Sequence, residues 1–246
     1  MYYNYSREYR IIKSLKHTNK NYIFLYKKPM KNKIIKTILD ILFPFSEIRR
    51  KIESLTAEEI LEKCEKAEIN DDKNTLSIFS YENQLIREMV HFLKYKGNKN
   101  VAKLFAEILY SEIIEKMSEM FIFENFTNPV LVPIPLSKKK FKKRGFNQIE
   151  LILKELKKLD TENIFETDTK SLIKIKDTLS QTAVKNRRRR MENIRNCFGV
   201  NNAEKIYERN IILIDDVLTT GATMREAKNA LIKAGAKRVF CITIAH

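Results

Sequence analysis

Cysteine, glycine, proline and tryptophan are scarce in this sequence. Its 246 residues include only 3 Cys, 5 Gly and 5 Pro, and no Trp. The cysteines are an odd number, lie far apart and form no C-x-x-C pair, so we expect neither a disulfide framework nor a cysteine zinc site. Because 43% of the residues are hydrophobic, the chain should bury a core rather than stay disordered. Cys241 lies in an apolar run and is expected in that core.

Long apolar runs are also absent. No uninterrupted apolar segment reaches the roughly 18–20 residues that cross a bilayer. The first residues, MYYNYSR, lack the apolar centre of a signal peptide. We therefore expect no membrane span, and a cytoplasmic protein.

Acidic residues are too few to balance the basic ones. Lysine and arginine number 47 against 31 for aspartate and glutamate, which gives a formal net charge of +16. Such a balance favours a polyanionic ligand, a nucleic acid or an acidic membrane surface, without deciding among them. The alternative is a lysine-rich composition that has no functional meaning.

The first 75 residues carry mainly helical patterns. A capping-box pattern from Thr56 to Glu59 predicts a helix that runs to about Ala67. The turn-like Asp71–Asn74 then marks a boundary, so we predict an N-terminal extension over 1–75 and a second domain over 76–246. Earlier predicted elements are a basic helix, a short strand and a helix ended by proline (Ser6–Lys20, Tyr22–Tyr26, Lys33–Phe43).

From residue 76 onward, strand patterns alternate with helix patterns. This alternation predicts an α/β fold with a parallel sheet flanked by helices, and ligands of such sheets bind beyond the carboxyl ends of the strands. The predicted strands are Leu76–Tyr81, Val130–Pro135, Ser171–Lys176, Ile211–Ile214 and Arg238–Ala245. The predicted helices are Glu82–Tyr95 (stopped by Gly97), Val101–Met120, Phe146–Leu159, Ala183–Asn196 and Met224–Ala234.

The most informative stretch begins at Ile211. Four apolar residues predict a buried strand, Asp215 and Asp216 stand where it should end, and a loop of small and hydroxyl residues leads into a helix. Such a loop presents backbone N–H groups and hydroxyls to a phosphate at the helix N-terminus. The two carboxylates suit a vicinal diol, Mg²⁺ or both. The alternative is an ordinary buried strand whose acidic end caps the next helix.

A second chemical segment is strongly basic. Six of the seven residues from Lys138 to Arg144 are cationic, and they are predicted to form a loop between a strand and a helix. Gly145 and its polar and aromatic neighbours indicate a close backbone approach, which favours a role with pyrophosphate or nucleic acid. Phe141 and Phe146 flank the cations, as aromatics do in proteins that stack single-stranded bases. A solvated basic loop is the alternative.

A third segment leads from Gln181 into four consecutive arginines, Arg187–Arg190. The planar guanidinium suits phosphate oxygens, and a basic helix suits a nucleic-acid backbone. Four arginines in a row occupy all sides of a helix, so they cannot all face one ligand. A merely solvated basic helix is the alternative reading.

The stretch from Asp215 to Thr223 resembles the phosphoribosyl pyrophosphate (PRPP) motif of type I phosphoribosyltransferases. The whole set of motifs, in order, is similar to the ComF/GntX family, whose members are associated with natural transformation and single-stranded DNA uptake. The pieces that carry this resemblance are Leu93–Gly97, Val132–Pro135, Arg144–Gln148, Thr178 to Gln181 with the downstream arginines and Asn193, and Asp215–Thr223.

The resemblance implies a type I phosphoribosyltransferase-like fold that binds PRPP with Mg²⁺. Asp215 and Asp216 would be the catalytic and metal-binding acids that hold the ribose hydroxyls. The 5′-phosphate would lie on Thr219, Thr220, Gly221, Ala222 and Thr223, while Arg144, Gln181 and either Arg189 or Arg190 would meet the pyrophosphate. Whether the protein catalyses transfer stays open. The rival is a module that escorts single-stranded DNA on Lys139, Lys140, Lys142 and Lys143, alongside competence-machinery proteins, with PRPP as a sensory or vestigial ligand.

Many ComF-like proteins begin with a four-cysteine zinc ribbon just after a leucine-phenylalanine-proline stretch. Here Leu42–Pro44 is present, but no cysteine quartet follows it. We therefore expect no zinc. The resemblance also implies that the first 75 residues supply the variable hood which selects the acceptor base in this fold.

Overall fold

The computed structural model describes residues 52–68, 72–124, 126–176 and 196–246, with the backbone alone for 121–124. The elements predicted before residue 52, and the predicted helix Ala183–Asn196, lie outside these described residues. Gln181 and the arginines from 187 to 190 lie outside them as well.

A five-stranded, fully parallel sheet organises the described chain. Its spatial order is β1-β7-β6-β2-β3, and every neighbouring pair runs parallel. The strands are β1 (Thr75–Phe79), β2 (Val130–Pro133), β3 (Glu166–Thr167), β6 (Asn210–Val217) and β7 (Arg238–Ala245). A separate antiparallel pair consists of β4 (Leu172–Lys174) and β5 (Phe198–Val200). The predicted parallel α/β sheet is thus confirmed.

Helices cover both faces of the sheet. They are α1 (Ala57–Lys63), α2 (Gln84–Lys96), α3 (Lys99–Glu124), α4 (Lys138–Arg144), α5 (Gln148–Leu159) and α6 (Ala222–Lys233), with a 3₁₀ turn at Ala203–Lys205. On one face, Ile211 and Leu213 of β6 pack in a cluster with Ala227 and Leu231 of α6. Since successive side chains of a strand alternate, Ile212 and Ile214 point to the other face, where α5 contacts β6 and α3 contacts α5. None of the helices in the described part of the chain is long and apolar enough to cross a membrane.

The central apolar runs form the elements that their patterns predict. Cys241 is fully buried in β7, as expected of a core residue, and all three cysteines are buried and outside any disulfide. Thr56 and Glu59 form the predicted capping box, although α1 ends at Lys63 rather than near Ala67. The predicted domain boundary near residue 75 stays a prediction.

Helix α2 ends where glycine predicts. Gly97 adopts the left-handed conformation at φ 56°, and its N–H donates to the carbonyl of Leu93. A Cβ on Gly97 would come within 3.1 Å of the Phe146 ring. The end of α2 therefore docks closely against the segment that begins α5.

Two predictions about local structure are wrong. Lys138–Arg144 is not a loop but the helix α4, because Ser137 caps its first turn and Gly145, at φ 84°, ends it. None of the residues of α4 is buried, so its cations stay solvated within a regular helix. Strand β6 does not end before the acid pair, since it pairs with β7 through Asp215 and Val217.

Candidate functional site

The acid pair lies at the carboxyl edge of the sheet, near the end of β6. Because side chains alternate along a strand, the two carboxylates leave on opposite faces. Asp215 shares its face with Ile211 and Leu213, toward α6, whereas Asp216 points toward α2 and α5. The two acids therefore have different surroundings, although they are adjacent in sequence.

Asp216 is buried and engaged through both carboxylate oxygens. Its residue is 5% exposed. The ammonium of Lys94 lies 2.8 Å from Oδ1, and the amide Nε2 of Gln148 donates to Oδ2. A carboxylate held on both oxygens by side-chain donors has a fixed orientation.

Lys94 reaches Asp216 from the last turn of α2. Burial acts to lower the pKa of its ammonium, but the charge and hydrogen bond of Asp216, with the charges of Asp215 and Tyr81, outweigh burial and raise that pKa above its usual value. Lys94 therefore stays protonated at neutral pH. The sequence prediction did not include Lys94 among the site residues.

Arg144 joins the acid pair indirectly. Its Nη1 donates to Oε1 of Gln148, and the guanidinium carbon lies 5.7 Å from the centre of the Tyr95 ring, within the range of a cation–π contact. Asn147 fixes the turn between α4 and α5, because Nδ2 donates to the carbonyl of Ile134 at 3.0 Å. A continuous polar chain thus runs from Arg144 through Gln148 and Asp216 to Lys94.

Asp215 has no such side-chain clamp among the described residues. Its Oδ1 accepts the backbone N–H of Asp216 at 2.8 Å. Burial, together with the charge of Asp216, raises the pKa of Asp215 to about 7, although that N–H and the charges of Lys94 and Lys140 act in the opposite direction. The charge of Lys140, on α4, therefore acts on the carboxylate of Asp215.

The loop after β6 places backbone amides and a hydroxyl at the start of α6. Gly221 is the N-cap residue, at φ 68° and ψ −3°, and has no side chain to cap the helix. The Oγ1 of Thr220 is buried and has no hydrogen-bond partner within the described part of the chain. A Cβ on Gly221 would lie 3.8 Å from Nη2 of Arg225, so a guanidinium stands beside the loop. This combination of amides, an unpaired hydroxyl and a cation suits a phosphate.

The structure brings together part of the predicted site. Asp215, Asp216, Thr220, Gly221, Ala222 and Arg144 lie at one sheet edge with Lys140 nearby, whereas Thr219 is exposed and Thr223 is half-buried. Lys139, Lys142 and Lys143 are exposed on α4. Gln181, Arg189 and Arg190 are not among the described residues. The residues that the site prediction missed are Lys94, Tyr95, Gln148 and Arg225, of which the first three fall within the stretches Leu93–Gly97 and Arg144–Gln148 quoted above.

A divalent cation would meet oxygen ligands here. Mg²⁺ in phosphoryl sites is held by one or two carboxylates together with ligand phosphates, and Asp215 supplies a carboxylate without a side-chain clamp. Asp216 already accepts from an ammonium and an amide. No group of three or more His, Cys, Asp or Glu side chains in the described ranges is arranged to hold a metal ion by itself.

The chain matches one protein family and is similar in sequence to several known proteins. A family model described as the phosphoribosyl transferase domain matches residues 106–246. Competence protein ComFC of Bacillus subtilis (strain 168) is 31% identical over 65% of this chain and 58% of its own length. Competence protein F of Haemophilus influenzae is 33% identical over 44% of this chain and 46% of its own. DNA utilization protein YhgH of Escherichia coli O157:H7 is 24% identical over 63% of this chain and 65% of its own.

The matched region thus spans less than two thirds of each of these relatives. The family model, in contrast, covers more than half of this chain, including β6 with its acid pair, the loop after it and α6. By that match, the chain belongs to the phosphoribosyl transferase domain family, and within it the chain is similar to the competence and DNA utilization proteins named above.

Proposed function

We propose that this protein binds PRPP, or a closely related phosphoribosyl ligand, together with Mg²⁺ at the carboxyl edge of its sheet. The observation that carries the proposal is the buried hydroxyl of Thr220, which has no hydrogen-bond partner among the described residues and lies beside the glycine-capped start of α6. A buried polar atom without a partner costs free energy, on the order of 1–3 kcal/mol, which a phosphate oxygen at this position would remove. The 5′-phosphate lies on Thr220, Gly221, Ala222 and Thr223, with Arg225 beside it.

The ribose and its pyrophosphate extend from that loop toward the acids and α4. Asp215 and Asp216 stand near the end of the same strand, and the carboxylate of Asp215 accepts hydrogen bonds from the ribose hydroxyls and shares Mg²⁺, with Asp216 beside it. Arg144 stands on the other side of Gln148, and its guanidinium suits two oxygens of a diphosphate. Bound Mg²⁺ supplies charge neutralisation on the pyrophosphate.

If the protein is an enzyme, the reaction is transfer of the phosphoribosyl group to nitrogen. A nitrogen nucleophile forms a bond to C1 of the ribose, the bond from C1 to the pyrophosphate oxygen breaks with its electron pair leaving on pyrophosphate, and the proton of the nucleophile passes to solvent water. Positive charge develops on the ribose ring as the bond breaks. The carboxylate of Asp215 stabilises that charge, and the loop after β6 keeps the sugar in place, so catalysis consists of positioning and electrostatics.

Pyrophosphate release tests the proposal. The protein is incubated with PRPP, Mg²⁺ and a panel of nucleobases, and binding of PRPP is measured in parallel by calorimetry. Base-dependent release of pyrophosphate supports a transferase. Binding without release supports a binding protein that keeps the site, and absence of Mg²⁺-dependent binding overturns the proposal. Asp215→Asn should lose this binding, and Asp72→Asn is its matched control, because Asp72 pairs with Lys228 and precedes β1, at the amino ends of the strands.

A second candidate function is binding of single-stranded DNA on α4, in the cytoplasm of a transforming cell. The specific observation is that α4 holds six cations and no buried residue, with Phe141 48% exposed and Tyr95 61% exposed. Exposed aromatics among cations suit stacked bases and their phosphates. The names of the relatives, competence and DNA utilization proteins, agree with this role.

Salt separates the two functions. DNA binding through phosphate contacts weakens steeply as salt rises, whereas a PRPP site depends mainly on Mg²⁺. The same surface is a candidate contact for competence-machinery proteins. A fluorescently labelled oligothymidine titrated at several salt concentrations shows which behaviour the protein has.

A further inference from the structure

Lys94 is the one side chain from α2 that the structure shows bonded to the acid pair. Its ammonium contacts Oδ1 of Asp216 at 2.8 Å, with the lysine side chain 22% exposed and the aspartate side chain 7% exposed. Surface ion pairs contribute little to stability, but a pair this deeply buried is costly to break by removing one partner. The contact is therefore part of how the site is built.

The position of Lys94 is set by packing on both sides of it in the chain. Leu93 is buried and accepts the N–H of Gly97, which ends α2. Gly97 rests against Phe146, two residues before Gln148. The contact between the end of α2 and the start of α5 thus positions both side chains. Lys94 reaches one oxygen of Asp216, and Gln148 reaches the other.

The two acids are left in unequal situations. Asp216 accepts from two side chains on the α2 and α5 face, whereas Asp215, on the α6 face, accepts the backbone N–H of its neighbour. A ligand or a metal ion that took an oxygen of Asp216 would have to displace an ammonium or an amide. Among the described residues, no side chain would have to be displaced from Asp215.

We propose that Lys94 is a positioning residue, a built-in counter-ion that locks Asp216 in place, so that Asp215 is the carboxylate which meets the bound ligand. The proposal concerns how the two acids divide their tasks, and its ligand rests on the function proposed above. Lys94 occupies the place beside Asp216 where a divalent cation would otherwise bind. Removal of Lys94 should therefore expose Asp216 to such a cation.

A double-mutant cycle tests the coupling without any ligand. Lys94→Met, Asp216→Asn and the double variant are unfolded in urea, with Lys99→Met as the control, since Lys99 is exposed at the start of α3. We expect both single variants to lower the urea midpoint and the double variant to lower it by no more than either single one. Losses that add in the double variant overturn the proposal. Where Lys94→Met does not fold, a folded double variant supports the pair and an unfolded one contradicts it.

Divalent cations give a readout that a merely structural lysine would not change. Without PRPP, Mg²⁺ or Mn²⁺ should leave the melting temperature of the wild type and of Lys99→Met unchanged, and should raise that of Lys94→Met. Lys94→Arg, which keeps the charge, should again show no response. An equal shift of the melting temperature in all four proteins would show that Lys94 does not keep divalent cations away from Asp216.

PRPP binding completes the test and keeps the two proposals apart. Lys94→Met should bind PRPP with Mg²⁺ at least tenfold more weakly, Lys94→Arg should recover most of that loss, and Asp216→Asn should add little to Lys94→Met. Unchanged affinity in Lys94→Met contradicts the positioning role. If the wild type does not bind PRPP at all, the proposed function fails, while the urea cycle and the cation response still decide the role of Lys94.

Discussion

The segments that follow β2 and β6 leave the sheet at the same edge, and both lead into helices. They differ in whether a side chain accepts the backbone N–H groups at the start of the helix. After β2, Ser137 accepts the N–H of Lys140 at the start of α4, and Asn147 accepts the N–H of Ile149 at the start of α5. After β6, the cap is Gly221, and the hydroxyl of Thr220 is buried without a hydrogen-bond partner in the part of the chain that the structure describes.

Under the proposed function, this difference separates a structural segment from a ligand-binding one. A side-chain cap stabilises a helix by about 1 kcal/mol, so the segment after β2 is complete without a ligand. The segment after β6 has no side-chain cap, and in the proposed function an external anion takes its place at the start of α6. The predictions below concern these two segments and the acid pair beside them, and they run from the largest expected effect to the smallest.

Asp215→Asn should have the largest effect. The substitution keeps the size of the side chain and its ability to accept a hydrogen bond, but it removes the charge available to Mg²⁺ and the ribose. We expect PRPP affinity to fall at least 100-fold, about 2.7 kcal/mol, with the melting temperature unchanged or higher because a half-buried charge is lost. Calorimetry and thermal melting measure the two. An unchanged affinity in a folded variant would contradict the site.

Thr220→Val and Ser137→Ala form a crossed pair. Thr220→Val removes a hydroxyl that has no partner in the described structure, so stability should hold or rise, whereas PRPP affinity should fall about tenfold, as for one hydrogen bond to a charged group. Ser137→Ala removes a helix cap and should cost about 1 kcal/mol of stability without affecting affinity. If both variants behave alike, the contrast between the segments is wrong.

The acidity of Asp215 predicts a smaller, pH-dependent effect. Burial raises the pKa of Asp215 to about 7 in the folded protein, above the value of about 3.9 for an unperturbed aspartate. The folded state therefore binds more protons than the unfolded state between these values, so this group stabilises the protein at low pH and its contribution falls as pH rises toward 7. Asp215→Asn should remove that part of the slope in urea unfolding from pH 4 to 8. A steeper fall in the variant would contradict this assignment.

The α4 lysines should matter least for PRPP. Changing Lys139, Lys140, Lys142 and Lys143 to Gln removes four charges and leaves Arg144 in place. PRPP affinity should change less than twofold, whereas the salt dependence of single-stranded DNA binding should flatten by about 0.7 for each lost phosphate contact. An unchanged salt slope would show that these lysines do not meet the DNA backbone, and would favour the small-ligand function alone.

The sequence predicts the sheet well because the central strands are continuous apolar runs. Arg238–Ala245 is the strand expected, and Gly97 ends α2 as its chemistry requires. Helix α4 could not be predicted from hydrophobic periodicity, because a helix with no buried residue has no apolar face. Two sequence signals nevertheless mark its ends: Ser137 caps the start of the helix, and Gly145, in the left-handed conformation, ends it.

The unequal roles of the two acids could not be read from their adjacency. Lys94 and Asp216 lie 122 positions apart in the numbering, and their contact depends on how the end of α2 packs against the start of α5. Likewise, Gln148 is polar and buried, and the structure gives the reason: its amide donates to the carboxylate of Asp216. The sequence therefore predicts the local chemistry of the loop after β6, whereas the side chains that contact Asp216 are known only from the tertiary packing.

Amide NMR spectroscopy tests the central claim most directly, because it compares the two helix starts in one experiment. Ribose 5-phosphate is titrated into ¹⁵N-labelled protein, and the backbone amides of residues 220–223 and of Lys140 and Ile149 are followed. We predict saturable shifts at 220–223, and none at Lys140 and Ile149, whose N–H groups already donate to side chains. Shifts confined to α4 and α5, with residues 220–223 unmoved, would contradict the account.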